Sequence, residues 1–311
     1  MTKIIKQSYK VTKNIPILLK LFRIFSKFIV KLFFPFSKSL FRNSFLQYFH
    51  SFVSINVNNI PMKFKDGNER LYLFINTQFI MEKDLVNWID TFKEDDIFFD
   101  IGSNIGMFSI YAAKKNIKTI CFEGHHSNLD NFTYNIYLNN VSDNITILPI
   151  LLGKKNESHK FFLRDLTPST ARSEIDHEKS EFRSGLKESL QMNTVTFNLD
   201  YLIENKMIPN ATKVKLDVDG VEFLILKGYE KFIDNVEEIM IEMYERSSDQ
   251  WKCFNEFNNK KSIFTKNINI NYFENNFPKN PYFDEISNFL KNKNFEKKEE
   301  FGNNIIFKKK K

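Results

Sequence analysis

Six carboxylates stand at or just beyond the ends of apolar runs. Asp100 follows Phe98-Phe99, and Glu123 follows Ile120-Cys121-Phe122. Asp217, Asp219 and Glu222 follow Val214-Lys215-Leu216, and Glu242 follows Ile239-Met240-Ile241. Acids at the carboxyl ends of buried strands lie where ligands of open α/β sheets bind. A carboxylate there can bind a cation, accept hydrogen bonds from hydroxyls, or take up a proton. Asp217, Asp219 and Glu222 are crowded into one short run, Lys-Leu-Asp-Val-Asp-Gly-Val-Glu at 215–222. Such crowding costs repulsion and is tolerated where the acids meet a cation: a metal, a sulfonium or ammonium, or a lysine. Glu222, near a helix start, also complements the helix dipole.

The elements that position these acids follow from the residues around them. Phe98 to Gly106 reads as a strand ending at Asp100, then a tight turn bracketed by Gly102 and Gly106. The apolar segment from Met107 to Ala113 follows as a helix. A strand, a glycine turn and a helix build a nucleotide site. Gly102 lets a ligand approach the main chain, and Gly106 lets the helix pack close to the strand. The pattern is Asp-x-Gly-x-x-x-Gly and not Gly-x-Gly-x-x-Gly. An anion at the first position repels a pyrophosphate and suits a cationic or zwitterionic nucleoside such as S-adenosylmethionine. Glu123 ends the next strand, Thr119 to Phe122, where an acid can accept hydrogen bonds from both ribose hydroxyls. His125 and His126 come next, and a His pair in a loop is more often solvated than catalytic.

At 311 residues the chain can bury a full α/β core and still carry additions. Its two cysteines, Cys121 and Cys253, suggest neither a disulfide framework nor a zinc site, and fit a reducing cytoplasm. No run of uncharged apolar residues is long enough to span a membrane. The net charge of +7 is unevenly spread. Residues 1–65 hold 12 Lys or Arg and no acid, which leaves 33 basic against 38 acidic residues in the rest. A nucleic-acid-binding body is therefore not expected.

Residues 1–50 read as a basic amphipathic extension, with Lys13, Lys20 and Lys27 on one face and Phe22, Phe25, Ile29 and Phe33 on the other. Such a helix suits peripheral contact with the inner face of an anionic membrane, or packing on the body or a second subunit. Residues 51–95 are expected to be a small β-rich addition: strands at 52–57, 62–64 and 71–75, a hairpin turn at Asp66-Gly67, then a helix over 79–92. Further on, the pattern predicts a helix over 129–138, a strand over 145–152, and a hairpin plus loop over the site within 154–193. Arg172 in that stretch can bind an anionic or sugar substrate, or simply face solvent. Strands over 213–218 and 236–243 flank a helix that starts near Gly220. A helix over 283–290 and strands over 295–301 and 304–309 close the chain with an antiparallel edge.

These residues resemble the FkbM-type S-adenosylmethionine-dependent methyltransferases. The resemblance rests on Asp-Ile-Gly-Ser-Asn-Ile-Gly at 100–106, Phe-Glu at 122–123, Thr-Phe-Asn-Leu-Asp-Tyr-Leu at 196–202, the run at 215–228, and Ile-Glu at 241–242. It covers roughly residues 53–307 and leaves the first 50 outside. Two positions depart from the family pattern: Gly124 stands where a Pro is usual, and Asp219 where a Glu is usual. The resemblance implies a class I, Rossmann-like α/β fold in residues 96–311: a mostly parallel seven-stranded sheet flanked by helices, with one strand reversed. It also implies O-methylation of a sugar, glycan or other small-molecule hydroxyl.

In that reading Asp100, Gly102, Asn104 and Gly106 face the cofactor's amino acid end and Glu123 holds the ribose. Asp217 is the catalytic residue, acting directly or through a divalent metal with Asp219 or Glu242 beside it. Arg172, Asp219 and Glu242 are the substrate-side candidates. A second reading takes Asp217-Val218-Asp219 as the metal-binding Asp-x-Asp of a nucleotide-sugar glycosyltransferase, which leaves the glycine turn unexplained.

Overall fold

The computed structural model describes residues 52–163, 165–169, 173–176, 190–218, 220–243, 280, 282–301 and 304–310, together with Ile24, Phe25 and Phe28. The chain divides into two compact units. One comprises Met1–Ser51 with Asn255–Asn269, and the other Phe52–Phe254 with Ile270–Lys311. In the first, Ile24, Phe25 and Phe28 are helical and exposed. The rest of the expected amphipathic extension lies outside the described residues.

The second unit opens with β1 (Phe52–Val57) and β2 (Ile60–Lys65), an antiparallel hairpin. Its turn is Asn58-Asn59, both left-handed at φ 48° and 67°, which suits the two-residue turn of a twisted hairpin. The expected turn at Asp66-Gly67 instead leads into α1 (Glu69–Met81), and Leu71–Ile75, expected as a strand, lies inside this helix. Asn68 is the reason: its side chain accepts from the Leu71 N–H and caps the helix. Leu71, Ile75 and Phe79 then recur at helical spacing and are buried. After α1 come α2 (Lys83–Asp90), β3 (Ile97–Ile101), α3 (Met107–Lys114), β4 (Lys118–Phe122), α4 (His126–Asn139) and β5 (Ile145–Leu148).

The apolar run 145–152, expected as one strand, is two. Pro149 follows β5, and β6 (Leu151–Leu152) joins a different sheet. Proline has no N–H to donate, so a central ladder ends there. The polar stretch that follows contains more sheet than one hairpin. β7 (Glu157–Leu163), β8 (Glu174–Ile175) and β9 (Leu190–Phe197) form, with β6, a four-stranded sheet in the order β6-β9-β7-β8. The chain continues with α5 (Leu199–Glu204), β10 (Lys213–Leu216), α6 (Glu222–Lys227), β11 (Glu238–Glu242), α7 (Phe283–Asn292), β12 (Phe295–Phe301) and β13 (Asn304–Lys309).

The main sheet has seven strands in the order β12-β13-β11-β10-β3-β4-β5. β11, β10, β3, β4 and β5 are parallel, and β13 runs antiparallel to both β11 and β12. Six strands therefore point one way and one is reversed, the class I α/β arrangement. Each face carries its own core. Phe99, Ile101, Phe122, Leu216 and Ile241 pack on one side, and Phe98, Cys121, Met240 and Ile306 with Trp88 and Tyr111 on the other.

On the edge of β2 away from β1, asparagines of helix α4 take the place of a further strand. Lys65 N–H donates to Asn135 Oδ1 at 2.7 Å, and Lys63 N–H to Asn139 Oδ1 at 2.9 Å. Asn139 Nδ2 returns a bond to the Lys63 carbonyl at 2.6 Å. Backbone groups at a strand edge need partners wherever water is excluded, and these amides supply them.

Candidate active site

The glycine turn between β3 and α3 has the geometry that its spacing implies. Gly102 has φ +80°, and a Cβ there would fall 1.9 Å from the carbonyl oxygen of Asp217. Gly106 has φ +79°, and a Cβ would strike the ring of Phe132 on α4. No other residue type fits either position without displacing backbone or a buried aromatic. Gly124 has a comparable cause: a Cβ would fall 2.2 Å from Leu151 Cδ2.

Register and period two then line up the acids. On the parallel strands Lys215 pairs with Asp100 on one side and Met240 on the other. Alternate residues of a strand share a face, so Asp217 and Glu242, two beyond those partners, project on the side of Asp100 and Lys215. Asn304 of β13 pairs with Glu242 and extends the row. Asp100, Lys215, Asp217, Glu242 and Asn304 thus run across the carboxyl edge of the sheet.

Lys215 is the cation of this row. Its Nζ lies 3.0 Å from Asp217 Oδ2 and 3.3 Å from Asp100 Oδ1. It also donates to the Gly102 carbonyl at 3.4 Å. Of the three cations that could relieve the acid cluster, the structure supplies a lysine. Burial opposes the charge on Lys215, but Asp217 and Asp100 more than offset it and raise its pKa. Burial likewise opposes the charge on Asp217. The ammonium of Lys215 and hydrogen bonds with Glu242 and Lys215 outweigh that and hold the pKa below the usual range. A hydrogen bond between two carboxyls needs one proton between them, so Asp217 and Glu242 act as a pair. Asp100 is 1% exposed and lies beneath the cavity: its Oδ2 accepts from Ser109 Oγ at 2.5 Å and its Oδ1 faces Lys215.

Glu123 is held by backbone. Its Oε2 accepts from Asn104 N–H at 2.8 Å and its Oε1 from His125 N–H at 2.6 Å. Asn104 has φ +52°, a left-handed turn residue whose own side chain accepts from Ile105 N–H. Burial raises the Glu123 pKa to about 7, against the lowering effect of the His125 and Asn104 N–H groups. His125, expected to be solvated, is 2% exposed, and its Nε2 lies 2.9 Å from the Asp165 carbonyl.

These groups surround a cavity of about 350 Å³. Asn104, Glu123, His125 and the apolar Ile150, Leu151 and Phe161 line it beyond β3 and β4, Lys215, Asp217 and Glu242 line it beyond β10 and β11, and a stripe on and just after α1 lines it as well. That stripe is Phe74, Gln78 and Glu82, which recur every four residues along the helix. Glu82 escaped the sequence reading. Of the acid cluster, Glu222 is spent locally: it accepts from Gly220 N–H at 3.1 Å and from Asn280 Nδ2 at 3.1 Å. Arg172 and Asp219 lie outside the described residues. Among the described residues, no group of three or more His, Cys, Asp or Glu side chains is placed to hold a metal ion.

The sequence model of the Methyltransferase FkbM domain matches residues 100–297, more than half of the chain. The chain belongs to the FkbM methyltransferase family. Over 167 residues it is 28% identical to the hexuronic acid methyltransferase AglP of Haloferax volcanii, covering 52% of this chain and 62% of that one. Over 171 residues it is 23% identical to Methyltransferase 1 of Beauveria bassiana, covering 51% of this chain and 68% of that one. The FkbM methyltransferase of Methylobacillus flagellatus KT superposes with a TM-score of 0.35 at 17% identity, over 53% of this chain and 37% of that chain. The chain spans about three fifths of the length of the first of these curated relatives. Among the described residues, no helix is long and apolar enough to cross a membrane.

Proposed function

We propose that the protein transfers the methyl group of S-adenosylmethionine to a hydroxyl oxygen of a sugar, glycan or related small molecule. Residues 96–311 are then the transferase domain, and residues 51–95 an addition that walls the acceptor end of the site.

The observation that carries this reading is the fixed pose of Glu123. Two backbone N–H groups aim its carboxylate beside a turn in which Gly102 leaves no room for a Cβ. Such a carboxylate can accept hydrogen bonds from two neighbouring ribose hydroxyls. Ile150, Leu151 and Phe161 give a purine an apolar wall beyond it. Gly102 and Asn104 face the amino acid end. Asp100 acts from below, through Ser109 and the charge it shares with Lys215. When bound, S-adenosylmethionine supplies a methyl group already activated on a sulfonium.

Beyond β10 and β11, Asp217 and Glu242 offer carboxyl oxygens to an acceptor hydroxyl, and Gln78 and Phe74 of α1 add an amide and an apolar face to the same cavity. That mixture suits a polyhydroxyl compound. The similarity to a hexuronic acid methyltransferase supports a sugar acceptor. Asp217 is the residue we assign to orient the reacting hydroxyl, since Lys215 keeps it ionised and fixed.

The test is incubation with methyl-labelled S-adenosylmethionine and methyl glycosides of neutral and acidic hexoses. A base-stable methyl ether is expected; label recovered only as a base-labile ester or on nitrogen would overturn hydroxyl transfer. Asp217→Asn is expected to abolish turnover while S-adenosylhomocysteine still binds. Turnover left unchanged would remove Asp217 from the reaction.

A further inference from the structure

Transfer of a methyl group to a neutral hydroxyl leaves a proton that must go somewhere. The acids at the site differ in their freedom to take it. Asp217 is clamped by Lys215 at 3.0 Å and shares a hydrogen bond with Glu242. Both oxygens of Glu123 accept backbone N–H bonds, and the Nε2 of His125 is occupied by the Asp165 carbonyl. Asp217 and Glu123 are thus committed to holding the site together; His125 keeps a buried Nδ1 without a hydrogen-bond partner, but it follows β4 beside Glu123, away from Asp217 and Glu242 beyond β10 and β11.

Glu82 is placed differently. It ends α1 and begins α2, outside the 100–297 stretch that carries the family match. Its side chain lines the cavity with Asp217, Glu242 and Gln78. Asn304 Nδ2 donates to its Oε2 at 2.9 Å, and Asn304 stands in the carboxyl-edge row as the register partner of Glu242. One oxygen is thus fixed by a neutral amide. Among the described residues, Oε1 accepts no hydrogen bond and is left for a ligand.

We propose that Glu82 accepts the proton of the acceptor hydroxyl as the methyl group is transferred. The proposal rests on reading the cavity as a hydroxyl methylation site. The acceptor oxygen uses a lone pair to bond to the methyl carbon, and the carbon–sulfur bond breaks with its electron pair going to sulfur. The products are the methyl ether and S-adenosylhomocysteine; the hydroxyl proton passes to the Glu82 carboxylate and then to water.

The electrostatics around Glu82 match that task. Burial, then the charge of Asp217, with a small contribution from Asp84 on α2, raise its pKa to about 7. Lys215 from β10 and the Asn304 bond from β13 act the other way, and Glu242 of β11 faces the same cavity. A base is most effective when its pKa lies close to the working pH.

The experiment compares the full chain with Glu82→Gln and Glu82→Asp in three measurements. Calorimetry with S-adenosylhomocysteine is expected to show unchanged affinity in Glu82→Gln. Infrared difference spectra, taken without any acceptor, are expected to show two carboxyls titrating near pH 7, Glu82 and Glu123, of which Glu82→Gln retains only one. Transfer to a methyl glucoside probe is expected to fall about a hundredfold or more in kcat, with KM held. The rise in rate through neutral pH disappears with it, and Glu82→Asp restores part of both. Identical titrating bands in wild type and Glu82→Gln, or a Glu82→Gln rate and pH profile equal to wild type, overturn the proposal and leave the functional reading standing. Failure of the unaltered protein to bind S-adenosylhomocysteine is a different result, which overturns that reading and the proposal with it.

Discussion

Glu123 and Glu82 line one cavity, Glu123 beyond β4 and Glu82 bonded to β13, and burial brings both to a pKa of about 7. They are held by different parts of the molecule. Glu123 takes its pose from the main chain of its own neighbourhood, the N–H groups of Asn104 and His125. Glu82 takes its pose from Asn304, 222 residues away along the chain. The first arrangement is fixed by the turn and tolerates change elsewhere. The second depends on sheet register across β11 and β13.

Lys215 joins the two ends, and removing it is expected to have the largest effect. Lys215→Met leaves Asp100 buried and Asp217 half-exposed with no cation, which should cost about 3–5 kcal/mol in chemical denaturation. A cost below about 1 kcal/mol would mean that the two ends are not coupled through it.

The second prediction sharpens the Glu123 end. Ribose hydroxyls donate to an ionised carboxylate, so binding is expected to draw a proton off Glu123. Below its pKa of about 7, S-adenosylhomocysteine affinity should therefore climb about tenfold per pH unit and level off above it. The same titration with Glu82→Gln should keep this slope, because Glu82 is at the other end. A flat profile in the unaltered protein would break the distinction.

Stability should respond in the opposite sense. Glu82 and Glu123 both rise from 4.5 to about 7 on folding, so between those values the native state binds more protons than the unfolded chain. Stability then falls as pH rises through that window and is constant above it. Glu82→Gln removes one of the two contributions, and its melting temperature should gain a few degrees on wild type between pH 5 and pH 8. The smallest expected effect belongs to Asn304→Ala. It removes one hydrogen bond, worth about 1 kcal/mol, and lets the Glu82 pKa move further up, which infrared titration can read.

How far the sequence carries follows the same division. The turn at 100–106 and Glu123 after the next strand are local features, and the structure assembles them as their spacing implies. The last two strands lie where they were expected, at 295–301 and 304–309. Leu71–Ile75 misled because a short apolar run fits either period, and only Asn68, as a cap, marks it as helix. Pro149 signals the break in 145–152, and its meaning is clear once β5 is seen pairing with β4. The cation beside the acids was open among three kinds until the pairing of Lys215 with Asp100 chose one. Glu82 carried no signal at all, since nothing near it in sequence says that Asn304 and Asp217 will be its neighbours.

The central claim is that Glu123 holds the ribose of the methyl donor. Its most direct test is calorimetric titration of the full-length protein with S-adenosylhomocysteine at pH 8, beside Glu123→Gln and Glu82→Gln. One site is predicted, weakened about tenfold or more in Glu123→Gln and unchanged in Glu82→Gln. Equal binding by Glu123→Gln and the unaltered protein, or no binding by the latter, would contradict it.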